Sequence, residues 1–196
     1  MSKMLHDKYF QILEKFLGNY KKEFHGRSLI GALRLSPKAI ALTLNELEQK
    51  SILKSRKQGN MKYFYLNLLN TEIKNTLQIT ELTKKINFLT KERKIAHLFQ
   101  DDNRIVGIFG SYAKKNNKEH SDLDLFIIGK KNKEEYIKKG KTFDLEVSIK
   151  FFAENEFIKL LQNKNPLINE IFENYILLFN AERFIQLIWR FYYGFN

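Results

Sequence analysis

The alternation in Ser121-Asp122-Leu123-Asp124-Leu125 constrains this chain more than any other stretch. Read as a strand, it puts Ser121, Leu123 and Leu125 on one face and both carboxylates on the other, about 7 Å apart at ~3.3 Å per residue. Two unpaired carboxylates at that spacing repel each other and resist desolvation. A divalent cation between them removes both costs, because hard oxygen ligands on a rigid strand hold Mg²⁺ and leave positions for water and phosphate oxygens. Asp122 and Asp124 are therefore the candidate metal ligands, in an apolar strand that runs on through Ile128.

Upstream, Arg104–Ser111 (RIVGIFGS) is a second apolar strand pattern, ending in Gly110-Ser111. Glycine lets backbone approach a ligand closely, and a strand-to-helix turn offers N–H groups and a hydroxyl to an anion. Phosphate is the natural guest, with Lys114 and Lys115 on the following turn to neutralise more of its charge. Tyr112 either stacks on a base or packs inward.

Gly110-Ser111, ten residues, then Asp122-Leu123-Asp124 resembles the signature of the DNA polymerase β-like nucleotidyltransferase superfamily, specifically its minimal nucleotidyltransferase branch, over about residues 85–152. The resemblance implies a Gly-Ser turn that grips a nucleoside triphosphate and paired acids that hold two Mg²⁺ ions. It also implies a third acid on a neighbouring strand that helps to deprotonate an acceptor. In KTFDLEVSIKFF, Phe143, Leu145, Val147, Ile149 and Phe151 alternate with Thr142, Asp144, Glu146, Ser148 and Lys150, so Asp144 and Glu146 face together and either fits the role. A short helix stopped by Gly140 precedes this strand.

The first 70 residues read differently. Phe10, Leu13, Phe16 and Leu17 form one apolar helix face, SLIGALR follows, and Ser36-Pro37 starts a third helix with Ile40, Leu44 and Leu47 inward. Gln58-Gly59-Asn60 then turns between two strand-like runs with basic flanks. Three helices and a basic hairpin resemble a winged helix-turn-helix domain. That resemblance implies base contacts from Lys38, Thr43 and Asn45 and DNA backbone contacts from Arg56, Lys57 and Lys62. Ala41 and Leu42 at outward positions keep a protein-contact or dimerisation module as the alternative.

Charge supports the division. Residues 1–70 carry 13 basic and 5 acidic side chains, against 21 and 17 in the remainder, so most of the net +12 sits in the first third. A nucleic-acid-facing module would show that asymmetry. Residues 71–100 lack Gly and Pro and repeat Ile79, Leu82, Ile86 and Leu89 at helical spacing, which predicts one connecting helix packed on its own chain. Residues 101–152 then form a small mixed sheet, and 153–196 two or three covering helices, the last so aromatic that it either packs on the core or meets a partner or second copy.

No apolar run approaches the roughly 20 residues of a membrane-spanning helix. There is no cysteine for disulfides or thiolate sites, and a cytoplasmic protein is expected. The fold class is α+β: a winged helix domain (1–70), then a nucleotidyltransferase domain (71–196). The expected activity is Mg²⁺-dependent transfer of a nucleoside monophosphate from a nucleoside triphosphate to an acceptor hydroxyl on a protein, small molecule or nucleic-acid end. The alternatives are a DNA-binding regulator with a nucleotide-sensing or inactive transferase domain, and an antitoxin-like modifier of a partner protein.

Overall fold

In the computed structural model, which describes residues 8–99, 101–131 and 134–194, the chain divides into two compact units, Met1–Thr83 and Lys84–Asn196. The expected segments that include residues 1–7, 100 and 195–196 lie in part outside the described residues.

The first unit opens with helix α1 (Lys8–Leu13) and a 3₁₀ turn, followed by strand β1 (Phe24–His25). Helix α2 (Pro37–Gln49) starts where expected: Ser36 accepts from the Ala39 N–H at 3.2 Å and Pro37 takes the first turn. Such a cap contributes about 1 kcal/mol. Strands β2 (Leu53–Gln58) and β3 (Met61–Leu66) form a hairpin, and Gly59 supplies the positive φ (+58°) its tight turn requires. β1 adds to the far side of β3, giving an antiparallel sheet in the order β1-β3-β2. Ile12, Phe16, Ile40, Leu44, Leu47, Phe64 and Leu66 are buried in this unit.

The middle helix expected at SLIGALR is absent. That stretch holds a 3₁₀ turn (Gly26–Leu29) and a bridge between Ile30 and Leu33, with Gly31 at φ +81°. A glycine held in the left-handed region at the middle of the stretch interrupts any right-handed helix there.

Helix α3 (Ile73–Lys91) carries the chain across the division between units, and α4 (Arg93–Leu98) follows a break at Glu92 (ψ 65°). The single helix expected over 71–100 is therefore two. Three of the four residues of its expected inward stripe face out: Ile79, Leu82 and Ile86 are 50, 45 and 44% exposed, whereas Leu89 packs against the core cluster and Ile73, Leu77 and Phe88 are buried.

The second unit then runs through β4 (Ile105–Phe109), α5 (Gly110–Lys114), β5 (Leu123–Ile128), α6 (Glu134–Thr142) and β6 (Val147–Phe152). It continues with α7 (Glu154–Gln162), α8 (Pro166–Glu173), β7 (Ile176–Phe179) and α9 (Ala181–Tyr193). The sheet order is β6-β5-β4-β7, with β5 and β6 parallel and the other pairs antiparallel. Leu123, Leu125 and Ile127 pack on one face with Ile95, Leu98 and Tyr136. From the other face Phe126 meets the rings of Phe109, Tyr175 and Phe184.

Two expectations fail here. Ile176 belongs to a strand rather than a helix, because a four-residue apolar run looks alike in either state and β4 offers it an open edge. The strand expected from Thr142 begins at Val147: α6 runs through Gly140 to Thr142, and Phe143 and Asp144 form a turn. Gly140 serves close packing, since a Cβ there would lie 2.5 Å from Val147 Cγ2 and 2.6 Å from the Leu145 carbonyl.

Asp102, in the loop before β4, ties this unit together. It accepts from Arg104 Nη2 at 2.6 Å and from the Tyr136 hydroxyl at 2.5 Å, while Asn180 Nδ2 donates to the carbonyls of Asp102 and Arg104 at 2.9 and 2.8 Å. Burial opposes its charge, but the bonds from Arg104 and Tyr136 outweigh that and hold its pKa below the usual carboxylate range. The segment before β4 is thus a loop with a structural carboxylate in it.

Candidate active site

Asp122 is exposed at the entrance to β5, and Asp124, the second residue of the strand, is half-buried. Antiparallel pairing sets Phe109 opposite Asp124, so Gly110, the next residue, reaches the carboxylate. A Cβ on Gly110 would lie 2.3 Å from Asp124 Oδ2, and the backbone there has φ +67°. Both the conformation and the space exclude a side chain. The Gly-Ser segment and the acid pair are therefore one piece of structure.

Burial raises the Asp124 pKa, the neighbouring Asp122 charge raises it further, and Glu170 adds to this. The neighbouring Ser148 hydroxyl and the Lys150 charge pull the other way. A half-buried acid held beside a second acid is short of positive charge. Two carboxylates on one strand face fit a hard divalent cation. Among the described residues no cluster of three or more His, Cys, Asp or Glu could hold a metal.

The other expected residues are arranged unequally. Ser111 is the second residue of α5, and Tyr112 is buried in the core cluster, so of its two readings packing is the one the fold uses. Lys114 is engaged by Glu170 at 2.8 Å, and that carboxylate raises its pKa. Lys115 is exposed at the left-handed end of α5, φ +59°. Asp144 sits in the turn before β6 at φ +52°, and Glu146 accepts from the Leu123 N–H through its carbonyl at 2.8 Å. Both line a cavity of about 780 Å³ shared with His120, Ser121 and Lys141. Neither Asp122 nor Asp124 lines it.

Sequence reading missed Ser148, Lys150 and Glu170 as neighbours of Asp124. Alternation along EVSIKFF was a signal for the first two; nothing local marked Glu170, which arrives on α8.

In the first unit Lys38 and Asn45 are exposed on α2 and Lys57 on β2. Thr43 is only 2% exposed and turned inward, on the same helix face as Ile40 and Leu47, so it is no base reader. Arg56 pairs with Glu23 at 2.7 Å, and Lys62 with Glu48 at 2.5 Å.

Residues 93–184, from α4 into α9, match the family model described as polymerase beta, nucleotidyltransferase. The match supports a nucleotidyltransferase domain. That domain contains Gly110, Ser111 and both aspartates, and its sheet is the one that aligns them. No curated protein and no solved structure matches the chain. No described helix is long and apolar enough to cross a membrane.

Proposed function

We propose that the nucleotidyltransferase domain transfers a nucleoside monophosphate from a Mg²⁺-bound nucleoside triphosphate to an acceptor hydroxyl. The observation that carries this reading is the contact between Gly110 and Asp124, which joins a phosphate-binding turn to a cation-binding carboxylate. Asp122 and Asp124 hold the cation, which when bound neutralises charge on the α-phosphate. Gly110 and Ser111 take phosphate oxygens, and exposed Lys115 adds charge. The acceptor oxygen bonds to the α-phosphorus, and the α–β phosphoanhydride bond breaks with its electron pair leaving on pyrophosphate. The hydroxyl proton passes to Glu146, the β6-side acid level with Asp122; Asp144, one turn earlier, is the second candidate. The cavity beside these acids receives the acceptor.

Calorimetry with ATP and GTP at millimolar Mg²⁺ tests the reading. Binding that vanishes in an Asp122→Asn/Asp124→Asn variant supports it, and transfer of α-phosphate label to an acceptor establishes it. Equal heats from the wild type and the double variant would overturn it.

A second proposal concerns the first unit. Exposed Lys38, Asn45 and Lys57 favour contact with nucleic-acid phosphates and bases.

A further inference from the structure

Helix α2 divides its side chains cleanly between two faces. Ile40, Thr43, Leu44 and Leu47 are buried, while Lys38, Ala41, Leu42, Asn45 and Gln49 are exposed at the complementary helical spacing, Leu42 at 53%. Among the described residues no partner engages the side chains of Lys38, Asn45 or Gln49. The two acids of the helix border this face on either side. Glu46 accepts from the Tyr9 hydroxyl at 2.6 Å, and Lys50 lies over that tyrosine ring at 4.6 Å. Glu48 accepts from the Ser55 hydroxyl and is paired with Lys62 at 2.5 Å. Of the other acids in residues 1–70, Glu23 is held by Arg56, Glu14 is half-buried, and Asp7 lies outside the described residues. The exposed face therefore carries positive charge alone, from Lys38, with Arg34 exposed two residues before the N-cap.

That charge complements duplex DNA, whose major groove, about 12 Å wide, admits a helix of about 10–12 Å. The side chains on the face then limit what they can recognise there. An amide donates and accepts at once, which matches the N7 acceptor and amino donor of adenine, and an apolar side chain suits the thymine methyl. Ala41, small and beside Asn45, lets the helix backbone approach closely enough for a short amide to reach a base edge. α2 has no arginine to grip guanine, and both of its carboxylates, the acceptors that suit cytosine, are engaged elsewhere. Lys38 is the one group on the face suited to guanine or to a phosphate. Asn45 and Gln49 stand about 6 Å apart along the axis at ~1.5 Å per residue, close to two base-pair steps of about 3.4 Å.

We infer that α2 reads A·T pairs in the major groove of DNA: Asn45 and Gln49 each take an adenine edge, about two steps apart, and Ala41 and Leu42 meet thymine methyls beside them. The inference deepens the proposed contact of the first unit with nucleic acid and rests on it. Duplex RNA does not fit the face, because its deep, narrow major groove keeps side chains from the bases.

Selection of a randomised duplex DNA pool on the full chain at about 50 mM salt tests this, followed by anisotropy on the selected duplex. The wild type enriches two A·T pairs about two steps apart. Asn45→Ala and Gln49→Ala each lose the preference at one of these pairs, by roughly 5- to 150-fold, and keep wild-type affinity for unselected DNA. Both sites are exposed, so the variants should melt as the wild type does; Asn45→Ser and Gln49→Ser replace any that melts early. G·C pairs enriched at these steps, salt-dependent binding with no base preference, or a preference unchanged in either variant overturns the inference and leaves contact with nucleic acid standing. Equal affinity for duplex RNA also overturns it. No binding of any duplex at this salt removes the proposed contact and this inference together.

Discussion

Gly110 and Asp124 share a space too small for a methyl group: a Cβ on the glycine would stand 2.3 Å from Oδ2 of the aspartate. At φ +67° an alanine also costs roughly 1–2 kcal/mol of backbone strain. Gly110→Ala therefore lowers the stability of the nucleotidyltransferase domain by that amount and displaces the Asp124 carboxylate. Thermal denaturation and ATP titration at millimolar Mg²⁺ should both register it, with binding weakened at least about tenfold.

Asp124 is costly to the metal-free protein. Its folded pKa is raised, first by burial and then by Asp122, so the folded state binds its proton more readily than the unfolded chain. Between the ordinary carboxylate value and the raised one, its contribution to stability falls as pH rises. Asp124→Asn should remove that dependence and stabilise the metal-free protein by up to about 1 kcal/mol near neutral pH, while abolishing metal–triphosphate binding. Urea melts over pH 4–7 without divalent ions check the sign.

Asp102 works in the opposite direction. Burial pushes its pKa up, but hydrogen bonds from Arg104 and Tyr136 hold it below the ordinary value, so its stabilisation is complete above that value and is lost as pH falls through the lower native one. Asp102→Ala leaves the Arg104 guanidinium, whose side chain is 17% exposed, without its carboxylate and should cost about 3 kcal/mol. Tyr136→Phe removes only the hydroxyl and should cost about 1 kcal/mol. Denaturant melts of the two variants rank the contributions.

In the first unit, Lys57 and Arg56 should behave differently. Exposed Lys57 has no stabilising role in view, so Lys57→Ala should leave stability within about 0.5 kcal/mol and, if DNA is bound, lower the slope of log K against log salt by about 1. Arg56 is held by Glu23 and lies over the Tyr63 ring, so Arg56→Ala also affects melting, by an exposed pair's fraction of a kcal/mol. Fluorescence anisotropy with duplex DNA at several salt concentrations separates the effects.

What the sequence disclosed was local periodicity coupled to chemistry. Leu123 to Ile128 announced both a strand and the face its aspartates occupy, and Ser36-Pro37 marked a helix start that the structure keeps. Periodicity failed where tertiary partners decide. β7 is a strand because β4 has a free edge, and Ile79, Leu82 and Ile86 lie outward although their spacing looks like a core stripe. Alternation began five residues too early at Thr142 because α6 ends in a turn that nothing in the apolar pattern announces. At the site, the acid pair and the Gly-Ser step were legible from spacing. The engagement of Lys114 by Glu170 was not, since it joins α5 to α8 across 56 positions of sequence. Nor was the identity of the neighbour of Asp124, which depends on the β5–β6 register.

The strand order of the second sheet places β7 beside β4, although some 70 residues of chain separate them, and Phe184 of α9 closes over Phe126. A growing polypeptide can thus translate Gly110 and both aspartates long before the layer that shelters their strands exists. On the ribosome these strands wait, half covered, for Ile176 through Trp189 to emerge. Release before that point leaves Gly110 and both aspartates on strands without β7 beside β4 and without Phe184 over Phe126.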